Sequence, residues 1–218
     1  MYLWFWEWNM FGAIDPGQHS HGTFDNAIRV ANDRQSAEIA TEYGLHLSLE
    51  VGPYGVDVDL ETTNSSTRDW SELASIIPCF NPGPPGSQTQ QFLTSKTSFV
   101  SPLGFESLEA REIHFNETLR ARVACAQDPK GRYPWSDKWP ASQTEARHGL
   151  LARESSDSRW VTGITWDRFL SVQGNNPWSC MHAAARIGPL AAKETRNVHG
   201  RIYLLPGTKE DILAADSQ

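Results

Sequence analysis

Apolar and polar residues alternate with a period of two along much of the chain, as expected of strands whose side chains point to opposite faces in turn. The clearest run has Leu45, Leu47, Leu49 and Val51 on one side, with His46, Ser48 and Glu50 on the other. Gly52-Pro53-Tyr54-Gly55 then supplies a turn, and Val56, Val58, Leu60 and Thr62 return against Asp57, Asp59 and Glu61. This predicts an antiparallel hairpin with one face in a core and one polar face. At the start of the chain Tyr2, Trp4, Trp6 and Trp8 alternate with Leu3, Phe5 and Glu7. Both sides are mostly apolar, which predicts a strand buried on two faces. Asp15-Pro16-Gly17 turns the chain, and residues Phe24 to Arg34 and Trp70 to Ile77 fit a strand or a short helix equally.

Further strands are predicted at Glu112–Phe115, Leu119–Cys125, Gly149–Arg153, Trp160–Trp166 and Asn197–Leu205, with Ser155-Ser156-Asp157-Ser158 turning one into the next. Asn81-Pro82-Gly83-Pro84-Pro85-Gly86-Ser87 resists regular structure, because three prolines remove donors and two glycines loosen the backbone; it reads as a long loop. A short C-terminal helix is predicted at Thr208–Leu213, with Thr208 as N-cap and acidic residues in the first turn. No repeat and no heptad pattern interrupts this rhythm. The pattern predicts a mainly β protein: a single antiparallel β-sandwich domain over residues 1–218, supersandwich or jelly-roll-like, with one or two short helices.

Two stretches carry a family resemblance. Val58-Asp59-Leu60-Glu61-Thr62-Thr63-Asn64-Ser65-Ser66, followed by Asp69-Trp70, resembles a strand and exit turn of galactose mutarotase-like sandwiches. Ile187-Gly188-Pro189-Leu190-Ala191-Ala192-Lys193-Glu194-Thr195 is similar to the closing β-turn-β of such domains. Together they cover about a fifth of the chain, and neither is a catalytic signature. The resemblance implies a carbohydrate-active sandwich that handles sugar in a concave sheet face, with His and acidic residues as acid and base.

Composition narrows the function classes. A net charge of -7 gives no basic surplus to displace counterions from phosphates, so no nucleic-acid partner is expected. No window approaches the roughly 20 apolar residues of a membrane helix. The N-terminal segment lacks a basic region and a small-residue cleavage site and contains Glu7, so it is not read as a secretion signal; a soluble, cytoplasmic protein is expected. The abrupt start on alternating tryptophans raises the expectation of a segment upstream of Met1. Cys79, Cys125 and Cys180 are far apart and odd in number, which excludes a disulfide framework and predicts buried thiols. Asn64-Ser65-Ser66 and Asn116-Glu117-Thr118 match the glycosylation triplet, a pattern short enough to be common by chance.

Four groups of residues have chemical potential. In Gln18-His19-Ser20-His21, His19 and His21 sit two apart, so on a strand both imidazoles reach one ion; His46, His182 or Glu7 would complete the ligand set. The pair resembles the opening of a cupin metal motif, but Gly22-Thr23-Phe24-Asp25-Asn26 follows without the glutamate of that motif. The segment from Gln173 to His182 combines amides, Trp178 and an imidazole, suited to bonding sugar hydroxyls through Asn176 and stacking on a sugar face, or else forms a turn and a buried anchor strand. Cys180 beside His182 also suggests a thiol nucleophile, though nothing in the sequence indicates an activated thiol. Tyr133, Trp135 and Trp139 lie in a proline-punctuated stretch of a chain with nine tryptophans, and fit either ligand stacking or the capping of an open sandwich end. The stripe Asp57, Asp59 and Glu61, opposite His46 and Glu50, fits paired catalytic carboxylates, a hard-cation site or a solvated polar face. Arg111, Glu112, His114 and Asn116 form a similar row, read as solvated.

GxSxG, P-loop, HExxH and dinucleotide fingerprints are absent, which argues against serine hydrolases, nucleotide-dependent enzymes and zincins. The leading expectation is a carbohydrate-active enzyme, an epimerase, lyase or hydrolase. His19, His21 and His182 would do acid/base work, and Trp135, Trp139, Asn176 and Trp178 would bind the substrate. One alternative is a metal-dependent hydrolase, lactonase or oxygenase holding one divalent transition metal at His19 and His21. The other is a non-catalytic sugar-binding module.

Overall fold

The computed structural model describes residues 2–9, 20–21, 26–41, 44–82, 92–108, 111–119, 141–174 and 179–216. Two antiparallel sheets carry the fold. The smaller has the order β10-β13-β14-β7-β1-β2, where β1 is Tyr2–Asn9, β2 Ser20–His21, β7 Ser75–Asn81, β10 Ile113–Phe115, β13 Phe169–Gln173 and β14 His182–Arg186. The larger has the order β3-β4-β5-β6-β15-β12-β11-β8-β9. Its strands are β3 Asn26–Val30, β4 Ser36–Thr41, β5 Leu45–Gly52, β6 Gly55–Thr63, β8 Phe92–Ser101, β9 Gly104–Ser107, β11 Leu151–Ser155, β12 Trp160–Trp166 and β15 Thr195–Pro206. A single helix among the described residues, α1, spans Lys209–Asp216. It is too short to cross a membrane.

The hairpin predicted from alternation forms as β5 and β6, with Leu45↔Thr62, Leu47↔Leu60, Leu49↔Val58 and Val51↔Val56 in register. Leu45, Leu47, Val58 and Leu60 enter the core between the sheets, where they meet Ile76, Phe80, Ile164, Trp166, Met181 and Val198. Burial of each such leucine contributes about 1.5–3 kcal/mol, which fixes the register, since a slip by one residue would turn the whole apolar set outward. Trp166 reaches across the sandwich and donates its Nε1–H to the carbonyl of Ala183 at 2.9 Å. Gly200 on β15 makes room for that ring, because a Cβ there would lie 2.5 Å from Trp166 Cε3.

Two satellite cores flank the main one. Leu73, Ile77, Ile113, Phe115, Leu119, Leu170 and Ala184 pack on the far side of the smaller sheet. On the far side of the larger sheet, Ile212 and Ala215 of α1 pack with Val100, Leu150, Ala152, Val161, Tyr203 and Leu205. The helix therefore covers one end of the larger sheet's outer face, and among the described residues no second helix covers the rest.

Several elements depart from the sequence reading. The ambiguous segment from Phe24 contains β3, and that from Trp70 becomes an isolated bridge, Trp70↔Leu190, followed by β7. β4, β8, β9, β13 and β14 are strands that alternation does not predict. In Phe169–Gln173 all five residues are buried, so no polar face betrays the strand. Leu119 lies in a turn; the remainder of its predicted strand falls outside the described residues, as does the proline-rich loop from residue 83. The Arg111–Asn116 row is not a solvated face: His114 is buried, its ring centroid is 4.0 Å from that of Phe99, and its Nδ1 pairs with the Thr144 carbonyl at 2.9 Å.

The two stretches that carry the family resemblance meet in space. Asn64 N–H donates to Glu194 O and Lys193 N–H donates to Asn64 O. The Asn64 amide also donates to the carbonyls of Arg68, Leu190 and Ala191 at 2.8, 3.1 and 3.2 Å. Asn64 is fully buried, which excludes it as a glycan acceptor in the folded protein.

Candidate functional site

The part of the larger sheet's outer face that α1 does not cover is built from β5, β6, β15 and the end of β12. Alternation turns Glu50, Ser48 and His46 outward on β5, Asp57, Asp59 and Glu61 on β6, and Arg201, His199 and Asn197 on β15. Register then sets them in rows: Glu50–Asp57–Arg201–Thr165 in one, and Ser48–Asp59–His199 in the next. Asp167 continues the second row, donating its N–H to His199 O at 2.8 Å and accepting the His199 N–H at 3.0 Å. Neighbouring strands lie about 4.8 Å apart, so side chains within a row are in reach of each other.

These rows form the floor of a cleft of about 680 Å³. Arg147, His148 and Gly149 and the helix end at Asp216 form its walls. Five carboxylates, Glu50, Asp57, Asp59, Asp167 and Asp216, face Arg147, Arg201, His148 and His199 there.

The ionic groups are coupled. Arg201 donates from Nε to Asp57 Oδ1, and His199 pairs through Nδ1 with Asp59 Oδ1. A second chain runs along the wall: Arg201 Nη1 lies 3.5 Å from Tyr203 OH, Tyr203 donates to Asp216 Oδ1, and His148 Nε2 is 3.1 Å from Asp216 Oδ2. The Asp57 hydrogen bond holds the Arg201 guanidinium above its ordinary range. Burial, reinforced by Asp216, raises the Tyr203 phenol. Burial pushes Asp216 up, but the hydrogen bonds from His148 and Tyr203 outweigh it and hold the carboxyl below its usual range. Two buried polar atoms of the lining, His148 Nδ1 and Thr165 Oγ1, have no hydrogen-bond partner among the described residues.

The chemistry available follows from His199. With Nδ1 on a carboxylate, its tautomer is set and Nε2 is left to exchange a proton with a bound molecule. Its side chain is 65% exposed, so a ligand can reach it. Asp57 and Arg201 form a donor–acceptor pair of the kind that bonds vicinal hydroxyls. The acidic rows do not gather three ligand atoms within reach of one cation; among the described residues only Cys79, Cys180 and His182 do so.

Of the residues favoured by the sequence, the two that are described, His21 and His182, lie elsewhere. His182 is buried in the smaller sheet, 4% exposed, with Nδ1 3.1 Å from the carbonyl of Pro78. Burial, countered in part by that carbonyl, lowers its pKa to about 4, so it is neutral at neutral pH. His21 pairs with Trp8 at the β2 edge of the same sheet, and β1 and β7 separate it from β14. The structure therefore does not bring His21 and His182 together at the level of the backbone. His19, Trp135, Trp139, Asn176 and Trp178 lie outside the described residues. Of the cleft, the sequence signalled Glu50, Asp57 and Asp59 by alternation. The same signal marks His199 and Arg201 against Val198 and Ile202 in Asn197–Leu205. Nothing local marks Arg147, His148, Asp167 or Asp216, which come from turns and a helix end.

No protein-family model and no curated protein matches the chain. Among solved structures it is similar to a galactose mutarotase-like protein from Lactobacillus casei, at 11% identity and a TM-score of 0.39, over 91% of this chain and 80% of that one. The chain is a mainly β sandwich with a weak, partial resemblance to galactose mutarotase-like proteins, and nothing about its chemistry follows from that likeness.

Proposed function

We propose that the cleft beside α1 binds a small, uncharged, polyhydroxylated molecule of the carbohydrate class, and that His199, seated on Asp59, exchanges a proton with it. The observation that carries this reading is the His199–Asp59 couple standing one row from the Arg201–Asp57 pair in a single cleft. A carboxylate behind an imidazole orients the ring and sets which nitrogen faces a ligand, an arrangement that general acid–base catalysis uses. Asp57, Arg201 and Glu50 would hold hydroxyls, and His148, which touches Asp216, would brace the wall. Five carboxylates against two arginines disfavour phosphorylated or carboxylated sugars, so a neutral sugar fits better.

Ligand-observed NMR across a panel of neutral mono- and oligosaccharides tests this. The expected result is binding of at least one neutral sugar, weakened tenfold or more by His199→Ala and by Asp57→Asn. Conversion of the bound sugar should fall at least 100-fold in His199→Ala, in line with loss of a general acid–base group. Binding without any conversion would select the non-catalytic module instead. Sugar binding indifferent to both substitutions would remove the cleft from the account.

A further inference from the structure

A second cluster lies on the smaller sheet, away from the cleft. The bridge Phe80↔Met181 sends both of those side chains into the main core and places Cys79 opposite His182 on the other face. Cys180 completes the group: one ligand atom from each of Cys79, Cys180 and His182 lies within 4.8 Å of the others. All three residues are buried, at 3%, 6% and 4% exposure, and Cys79 and Cys180 are thiols, not joined in a disulfide.

A d10 cation makes bonds of about 2.3 Å to sulfur and about 2.0 Å to imidazole nitrogen, so three ligands around it stand about 4 Å apart. The observed spacing, within 4.8 Å, is compatible with that geometry. With Nδ1–H donated to the Pro78 carbonyl, the acceptor nitrogen of His182 is Nε2, the one that would bind a metal.

The charge around the cluster selects the ion. Arg153 on β11 is fully buried; it donates from Nε to Thr97 Oγ1 at 2.7 Å and from Nη1 to the carbonyl of Ser179, the residue before Cys180, also at 2.7 Å. Its Nη2 is a buried donor without a hydrogen-bond partner among the described residues. A buried ionic group is tolerated when its surroundings cancel it. Two thiolates and one guanidinium leave a single negative charge, which a monovalent cation neutralises and a divalent one overshoots.

We propose that Cys79, Cys180 and His182 form a three-coordinate Cu(I) site, with Arg153 as its buried counter-charge. Soft thiolates favour this ion. Binding forms two Cu–S bonds and one Cu–N bond and releases the two thiol protons to solvent. Copper enters as Cu(I), so no electron is transferred. The site is independent of the sugar reading, and neither requires the other.

The test is anaerobic titration of the full-length reduced protein with Cu(I) against a chromophoric Cu(I) chelator, followed by X-ray absorption at the copper edge. The expected result is one Cu(I) per chain with a shell of two sulfurs and one nitrogen. Affinity should fall at least 100-fold in Cys79→Ser and in Cys180→Ser, and be retained in Cys125→Ser. The absorption spectrum of the unsubstituted protein decides the matter even where a buried serine prevents folding. Failure to hold Cu(I) against the chelator, a shell without two sulfurs, loss of the site in Cys125→Ser, or one Zn(II) per chain that Cu(I) cannot displace would each overturn the proposal.

Discussion

Asn64 is fully buried, with its amide shared among the carbonyls of Arg68, Leu190 and Ala191, while its Oδ1 accepts from Ser66 N–H and Oγ–H. Removing it would empty a fully buried site and deprive the Ser66 N–H of its acceptor, although the Leu190 and Ala191 carbonyls keep the Trp70 and Glu194 N–H groups. Asn64→Ala should therefore cost about 1–3 kcal/mol in denaturant unfolding, whereas Asn116→Ala, at a partly exposed turn, should cost about 1 kcal/mol. The buried histidines make a different prediction. The folded-state pKa of His182 is lowered by burial from 6.5 to about 4, and that of His114 is lowered by burial too. Protonation is then easier in the unfolded chain. Stability is fully present above pH about 6.5 and is lost as pH falls towards 4, by up to about 3 kcal/mol from His182. Metal-free His182→Gln protein should lose most of that slope between pH 6.5 and 4 in equilibrium unfolding. An unchanged slope would mean that His182 is not held neutral.

At the scale of elements, α1 joins stability to the cleft. Thr208 begins the helix as expected, but its N–H and hydroxyl both donate to Asp211 Oδ2, at 2.8 and 3.0 Å. The acidic residue three positions on thus closes the reciprocal half of a capping box. Asp211→Ala should cost about 1 kcal/mol and speed hydrogen exchange in the helix. At the other end Asp216 is held ionised by His148 and Tyr203. Its carboxyl lies below the ordinary range, so its contribution is present at neutral pH and is lost as acid protonates the folded state. Tyr203→Phe should therefore loosen the helix end and the cleft wall together, seen as faster exchange at residues 212–216. The hairpin beneath is less negotiable, and Leu60→Ala, at 0% exposure, should cost about 2–5 kcal/mol. That hairpin was legible from sequence because one face is apolar and the other charged. β13 and β14 were not, because His182-Ala183-Ala184-Ala185 and Phe169–Gln173 are buried on both sides, so no alternation survives.

Across the whole molecule, two sheets place two different chemistries on opposite outer faces: ionic rows on the larger, soft ligands on the smaller. The floor of the cleft could be read from the stripe in β6, but its walls could not. Whether His148 and Asp216 meet depends on α1 folding back over β11 and β12, a long-range event that no local pattern records. His182 sits among polar turn residues in the sequence, which suggests a reacting imidazole, yet the sheet buries it. Charge at the scale of the molecule should also shape ligand choice. With a net charge of -7 and an acidic cleft, anionic sugars should bind at least tenfold more weakly than neutral ones at low salt, and the gap should narrow as salt is added. The central claim is that His199 and its carboxylates form the site. It is tested most directly by two-dimensional spectra of the seven histidine rings, assigned by substitution and titrated with the best-binding neutral sugar. The account predicts that the His199 ring signals move most, those of His148 follow, and those of His182 and His114 stay in place. Movement at His19, His21 or His182 with His199 unaffected would contradict it.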